Sequence, residues 1–122
     1  MTDGGETSTG RVSSARIREW LEDNVEAKWA EGPRVFAMAL VFADDILVYL
    51  DKNEDWAEAH VVLGRSYERV AKADGVPDGE EDNMRSAYRD HARTAYDAAA
   101  KVFLALGLTE RAEECRAAIE QV

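Results

Sequence analysis

The sequence predicts a single all-α domain, built as a five-helix bundle or as stacked helical hairpins. Apolar residues recur three and four positions apart over long segments, which is the period of one helix face. Gly and Pro fall almost wholly between these segments, where they end one helix and start the next. The connections between most of the segments are short, so sequential helices are expected to be antiparallel neighbours.

We expect residues 13–122 to form this helical domain and residues 1–12 to form a disordered N-terminal tail. The tail is rich in Gly, Ser, Thr and acidic residues. It has neither the basic start nor the apolar segment of a signal or transit peptide. A chain of this length is one ordinary domain, which buries enough surface to fold without a disulfide or a metal.

The first two predicted helices differ in how much of their surface is apolar. The first, about Ser14 to Glu31, carries a single apolar stripe, made of Ile17, Trp20, Leu21, Val25 and Trp29. Gly32 and Pro33 end it and open the next helix. The second, about Arg34 to Leu50, is apolar nearly all round, so it is the predicted core helix. Its one narrow polar strip consists of Arg34, Asp44, Asp45 and Lys52. Any part of this helix that its neighbours leave uncovered would be a dimer or partner surface.

Three more helices follow, each with its own start signal. The third, about Glu54 to Ala73, has Asn53 as its predicted N-cap. A loop over 74–79 precedes the fourth, about Glu80 to Leu106, for which Asp78 and Glu81 fit a capping box. Alanines along the fourth helix predict close approach to a neighbouring helix. Gly107 ends that helix, and Thr109 is the predicted cap of the fifth.

From Trp56 onward, over about residues 56–122, the chain resembles tetratricopeptide helical hairpins. The residues that carry the resemblance are His60, where the family prefers Trp, with Leu63, Gly64 and Tyr67 in one helix, Ala92, Tyr96 and Ala99 in the next, and Gly107 and Ala112 at the following turn. The segment from Lys72 to Asn83 and the long fourth helix depart from the 34-residue period of the family. The resemblance implies paired helices in close contact. A mid-helix glycine such as Gly64 is costly unless a neighbour must come close.

The charge balance argues against two classes of partner. The chain has 25 acidic and 15 basic residues, for a formal net charge of −10, and the basic residues are scattered. A field of this sign repels phosphate backbones and anionic lipid, so we expect neither nucleic-acid binding nor membrane binding. Arg outnumbers Lys, and Ala, Val, Asp and Glu are abundant, a composition that resembles haloarchaeal proteins or those of GC-rich actinobacteria. On that interpretation the acidity is an adaptation to salt.

The sequence lacks the common motifs of catalytic and metal sites. It contains no His-Glu-x-x-His, no Cys-x-x-Cys, no phosphate-binding glycine loop and no Gly-x-Ser-x-Gly. We therefore predict no metal site and no cofactor. Cys115 is the single cysteine, which fits a reducing, cytoplasmic location and the role of a small core residue.

One enzymatic alternative remains, in Arg85 and His91. Small α-helical ribonucleases of the HEPN type carry an Arg and a His at such a spacing, where the cation stabilises phosphate charge and the histidine moves protons. The flanking residues do not resemble those of that family, and the acidic field opposes an RNA substrate. A catalytic role for the pair would require both side chains to converge on one surface.

The sequence thus favours a non-catalytic helical module for protein–protein interaction or oligomerisation, which binds another protein or a second copy of the chain. The predicted working surface is the groove between the third and fourth helices or the uncovered flank of the second. Candidate partner-binding residues are Trp56, His60, Tyr67 and Tyr88, although helical spacing also suits His60 and the tryptophans to the core. A self-assembling structural protein is a further alternative.

Overall fold

The computed structural model describes residues 12–73 and 81–122 and is all-α, as predicted. Within those residues the chain forms five helices and no strand. Their bounds are α1 Ser14–Ala30, α2 Pro33–Leu47, α3 Glu54–Lys72, α4 Glu81–Ala105 and α5 Thr109–Gln121. The predicted tail, apart from Val12, and the predicted loop over 74–79 with the capping residue Asp78 lie outside the described residues.

The central helix is α3, and the prediction that α2 is the core helix is wrong. Helix α3 packs against α1, α2 and most extensively α4, while α5 packs on α4. Eleven of its 19 residues are buried, against five of the 15 in α2. A helix that is apolar all round is expected to be buried on most sides. How many sides are actually buried depends on which helices pack against it. Here α1 and α3 cover one side of α2.

The ends of the helices follow the local sequence in most cases. Ser13 Oγ accepts a hydrogen bond from the Arg16 amide at 3.2 Å, and Asn53 Oδ1 accepts one from the Trp56 amide at 3.0 Å. Each bond satisfies an amide that the first helical turn leaves without a backbone partner. Gly32 has a φ of 114° and precedes Pro33, the first residue of α2. The glycine between α1 and α2 is therefore required by the backbone of the turn.

The predicted end of α2 and the predicted cap of α5 differ from the observed ones. Helix α2 ends at Leu47, three residues before the predicted end. There the Leu47 carbonyl oxygen accepts two hydrogen bonds, one from the Leu50 amide at 3.0 Å and one from the indole Nε1 of Trp56 at 2.9 Å. At α5, Thr109 is the first helical residue, and Leu108 occupies the cap position without a side-chain hydrogen bond. The predicted threonine cap is wrong by one position.

Helices α3 and α4 pack closely and share the most extensive contact among the described helices. A Cβ atom added to Gly64 would lie 2.7 Å from Cε1 of Tyr96, so the ring occupies the space that any other residue would need. The α4 alanines at this interface are fully or almost fully buried; they are Ala92, Ala95, Ala99 and Ala100. Close approach, predicted from both Gly64 and these alanines, is confirmed.

Ion pairs join α3 to the helices around it. Arg69 donates to both carboxylate oxygens of Glu26 on α1, at 2.9 and 3.2 Å, and its guanidinium lies 4.3 Å from the Trp29 ring centroid. The hydrogen bond from Arg69 lowers the pKa of Glu26. On the other side, Arg111 of α5 pairs with Glu58 of α3. These contacts fix the relative positions of helices that are not all sequence neighbours.

Candidate interaction surface

One face of α2 and the turn after it is apolar and faces solvent; we call it the α2 flank. Its residues are Arg34, Val35, Met38, Val41, Phe42, Asp45, Val48 and Tyr49. Met38 and Phe42 are 68% and 70% exposed, and Tyr49 is 88% exposed. Single exposed apolar side chains are ordinary in proteins, but a contiguous row of large ones marks an interaction surface.

The α2 flank follows from the spacing of residues along α2. The buried side of the helix consists of Phe36, Ala37, Leu40, Ala43 and Leu47. The exposed positions 34, 38, 41, 45 and 48 alternate steps of four and three residues, and so do 35, 38, 42, 45 and 49. Such steps keep side chains on one face of a helix, as in a coiled-coil seam. Helix α2 therefore has two apolar faces, and only one of them is used inside the domain.

Two shallow hollows lie on either side of Phe42. The first, of about 270 Å³, is lined only by apolar side chains: Ile17, Trp20, Phe42, Ala43 and Ile46. The second, of about 350 Å³, is lined by Arg34, Ala37, Met38, Val41, Phe42, Asp45 and Tyr88. The first hollow suits an apolar side chain, and the second adds a charge of each sign at its rim. Together they give the α2 flank an uneven surface, into which side chains of a binding partner could pack closely.

The neighbouring carboxylates Asp44 and Asp45 point in different directions. Asp44 Oδ1 lies 3.6 Å from Nε2 of buried His60, whereas Asp45 is exposed at the rim of the second hollow. The His60 ring is held on its other side, because Nδ1 donates to the Trp56 carbonyl oxygen at 2.9 Å. His60 thus lies in the core, where helical spacing also suits it. Burial, and then the charges of Asp44 and Asp45, raise the pKa of Tyr67.

The four predicted partner-binding residues lie in different environments. Trp56, His60 and Tyr67 are at most 6% exposed and belong to the core. Tyr88 is half-buried and lines the second hollow beside α2. The structure thus brings one of the four to the α2 flank. Sequence reasoning named the uncovered side of the second helix as a surface but did not name Met38 or Phe42. The signal that identifies them is the second row of apolar residues at alternating three- and four-residue steps.

Trp20 departs from its predicted place in the core. Helical spacing favours the core for the tryptophans over a partner surface, but Trp20 is 40% exposed and lines the first hollow with Phe42. Trp29 packs edge-on against Phe36 with ring centroids 5.0 Å apart, and Trp56 is buried. Trp20 therefore extends the apolar surface from α2 onto α1. Cys115 is buried, as predicted, and burial raises the pKa of its thiol.

Arg85 and His91 each contact other parts of the molecule. Nη1 of Arg85 donates to the Ala71 carbonyl oxygen at 2.6 Å, near the end of α3. The exposed His91 ring stacks on Tyr67 with centroids 5.2 Å apart. Six positions on one helix correspond to about 9 Å along the axis and about 120° around it. The two side chains thus have separate partners and project in different directions from α4.

Other kinds of site are not found in the part of the chain that the structure describes. Residues 12–73 and 81–122 contain no group of three or more His, Cys, Asp or Glu side chains placed to hold a metal ion. No helix within these ranges is long and apolar enough to cross a membrane. No family model matches the chain, and neither a curated protein nor a solved structure matches it.

Proposed function

We propose that this protein is a non-catalytic helical module for protein–protein interaction or oligomerisation, and that the α2 flank is its binding surface. The observation that carries the proposal is the exposure of Met38 and Phe42 at the centre of a contiguous apolar face. Exposed apolar area is unfavourable in water. Burying it against a partner would lower the free energy by about 25 cal/mol per Å² of apolar area removed from water.

The aromatic content of the surface supports a binding role. Trp20, Phe42, Tyr49 and Tyr88 all reach the α2 flank or the hollows beside it. Aromatic side chains and Met are enriched at the centres of protein interfaces, and aromatic rings provide large contact areas at a low cost in conformational entropy. The packing of α3 on α4 through Gly64 and Tyr96 supports the companion proposal of a tetratricopeptide-like hairpin, which presents α2 on a rigid base.

The experiment compares the wild type with two double variants as capture baits in native lysate. Met38→Ser/Phe42→Ser removes the centre of the α2 flank. Leu104→Ser/Leu106→Ser is the matched control. These side chains are exposed apolar residues at the C-terminal end of α4, outside the α2 flank. Quantitative mass spectrometry measures every protein that is recovered, and an untagged copy of the chain with a distinct isotope label is included.

We expect the first variant to lose binders that both the wild type and the control variant retain. Urea denaturation must show that all three proteins have the same free energy of unfolding, so that loss of binding reports the surface. If the Met38→Ser/Phe42→Ser protein retains every binder of the wild type, the proposed function of the α2 flank is wrong.

A further inference from the structure

The charges on the α2 flank are arranged with internal two-fold symmetry. Helix α2 contains three charged residues, of which Asp44 is directed toward His60. The other two, Arg34 and Asp45, are exposed and stand on either side of Met38, Val41 and Phe42, with Val48 and Tyr49 lying beyond Asp45. They are eleven positions apart, which is about three helical turns or 16 Å along one face. No salt bridge joins either of them to another of the described residues.

The lining of the second hollow has the same symmetry. Its α2 residues form three pairs about a point between positions 39 and 40, namely Arg34 with Asp45, Ala37 with Phe42, and Met38 with Val41. If a second α2 is laid antiparallel over the first with its two-fold axis at that point, each residue meets the other member of its pair. Arg34 of each copy then meets Asp45 of the other, and Met38 packs against Val41.

We infer that the occupant of the α2 flank is a second copy of this chain, bound through antiparallel packing of α2 on α2. This inference rests on the proposed function of the α2 flank and names its partner. A two-fold dimer uses the same patch twice, so the patch must be complementary to itself. The opposite charges on either side of Met38, Val41 and Phe42 meet that requirement. A parallel arrangement would place Arg34 against Arg34 and Asp45 against Asp45.

The alternating three- and four-residue steps of the row suit this packing. Side chains at such positions interdigitate between two helices that cross at about 20°. The interface is small, because one face of a 15-residue helix with adjoining Trp20 and Tyr88 covers less than a standard protein interface. We therefore expect a reversible dimer at micromolar concentrations. The closed two-fold geometry uses the same patch of both copies, so assembly stops at the dimer.

Charge exchange within the chain tests the inference. The measurement is sedimentation equilibrium of the purified protein over a range of concentrations, at low salt. Arg34→Asp alone and Asp45→Arg alone each replace two attractive pairs by two repulsive pairs, so each should weaken the dimer by about tenfold or more. The double variant Arg34→Asp/Asp45→Arg restores opposite charges at both ends and should dimerise like the wild type.

Mixing the two single variants supplies a second readout. In an antiparallel dimer the Arg34→Asp chain and the Asp45→Arg chain present opposite charges to each other at both ends. The mixture should therefore dimerise at concentrations at which each variant alone is monomeric. Circular dichroism of every variant shows that the exposed substitutions leave the helices folded.

The outcomes separate this inference from the proposed function. A wild type that stays monomeric at all concentrations, or a double variant that fails to dimerise, overturns the second copy as occupant. If Met38→Ser/Phe42→Ser still loses captured proteins in that case, the α2 flank binds a different protein and the proposed function stands. If dimerisation is unaffected by the charge reversals and by Met38→Ser/Phe42→Ser, the copies associate elsewhere and the inference is wrong.

Discussion

At the scale of single residues, the contact between Gly64 and Tyr96 shows how a small side chain sets the distance between two helices. Gly in a helix interior is about 1 kcal/mol less favourable than Ala. The Tyr96 ring explains why this cost is accepted, because it fills the space where a Cβ atom would lie. The Tyr96 hydroxyl also donates a hydrogen bond to Glu68 on α3. The ring is therefore fixed by its packing against Gly64 and by this hydrogen bond.

We expect Gly64→Ala to lower the free energy of unfolding by about 1–3 kcal/mol, the usual range for overpacking a core. The added methyl group would lie 2.7 Å from Cε1 of Tyr96, well inside van der Waals contact. Urea denaturation measures the effect. In a Tyr96→Leu background the same substitution should cost less or stabilise the protein. An equal cost in both backgrounds would show that the clash is with another group.

The buried tyrosines predict a loss of stability at alkaline pH. Burial raises the pKa of Tyr67 and of Tyr96, while an unfolded tyrosine titrates near pH 10. Above that pH the unfolded chain loses these protons while the folded chain keeps them. The stabilisation is therefore complete below about pH 10 and is lost as the pH rises toward the folded pKa values.

The measurement is the free energy of unfolding as a function of pH from 8 upward. Tyr67→Phe should flatten its decline above about pH 10, since Phe has no proton to lose. Tyr49→Phe is the control, because Tyr49 is 88% exposed and should leave the decline unchanged. If Tyr67→Phe and Tyr49→Phe give the same pH profile, the Tyr67 hydroxyl does not cause the decline.

At the scale of helices, local sequence signals predict most of the helix ends. They do not predict which neighbouring helix packs against each helix face. Asn53 and Gly107 act at the local backbone, within a few residues, so their effects can be read from the sequence. At the end of α2 the Leu47 carbonyl oxygen accepts a hydrogen bond from the indole of Trp56, which comes from another helix, and no local pattern shows this contact. The same limit applies to Trp20, because its exposure depends on what α2 leaves open.

The candidate surface was accessible to sequence reasoning only in outline. The apolar excess on α2 indicated that some of it would stay uncovered unless neighbouring helices enclosed it. Which side is uncovered depends on α1 and α3 packing against the same side of α2, a property of the whole fold. The burial of Trp56 and Tyr67 has the same origin, because α3 is enclosed by three other helices. Aromatic content alone does not separate a core residue from a binding residue.

The cap of α3 gives a prediction at this scale. Asn53→Ala should lower the free energy of unfolding by about 1 kcal/mol, because it removes the acceptor for the Trp56 amide. Thr109→Ala should have a smaller effect, since Thr109 lies inside α5 and is not its cap. Thermal or urea denaturation compares the two variants. Equal losses would mean that the Asn53 side chain contributes nothing specific to the start of α3.

At the scale of the whole molecule, the net charge of −10 opposes the compact state. Many of the acidic side chains of α1 face solvent, including Glu19, Glu22 and Asp23. The exposed ion pairs between helices contribute little individually. Self-repulsion of the chain therefore weighs more in the response to salt than the loss of these pairs.

We expect added KCl to raise the free energy of unfolding, because the screening length falls to roughly 3 Å at about 1 M salt. Urea titrations at low and high KCl concentrations measure this change. Glu19→Gln/Asp23→Asn removes two exposed negative charges and should reduce the gain. A fall in stability with salt would show that the ion pairs outweigh the net charge, and it would remove support from the proposal of salt adaptation.

The buried thiol of Cys115 can serve as a chemical probe of how often the structure around α5 opens. A buried thiol of raised pKa reacts with an alkylating reagent only when the structure around it opens. Helix α5 packs on α4 and is joined to α3 through Arg111 and Glu58. The rate of alkylation thus records how often the structure around Cys115 opens, whether by local separation of α5 from α4 or by unfolding of the whole domain. The reactivity of one sulfur atom thus reports transient opening of the protein, which the folded structure alone does not show.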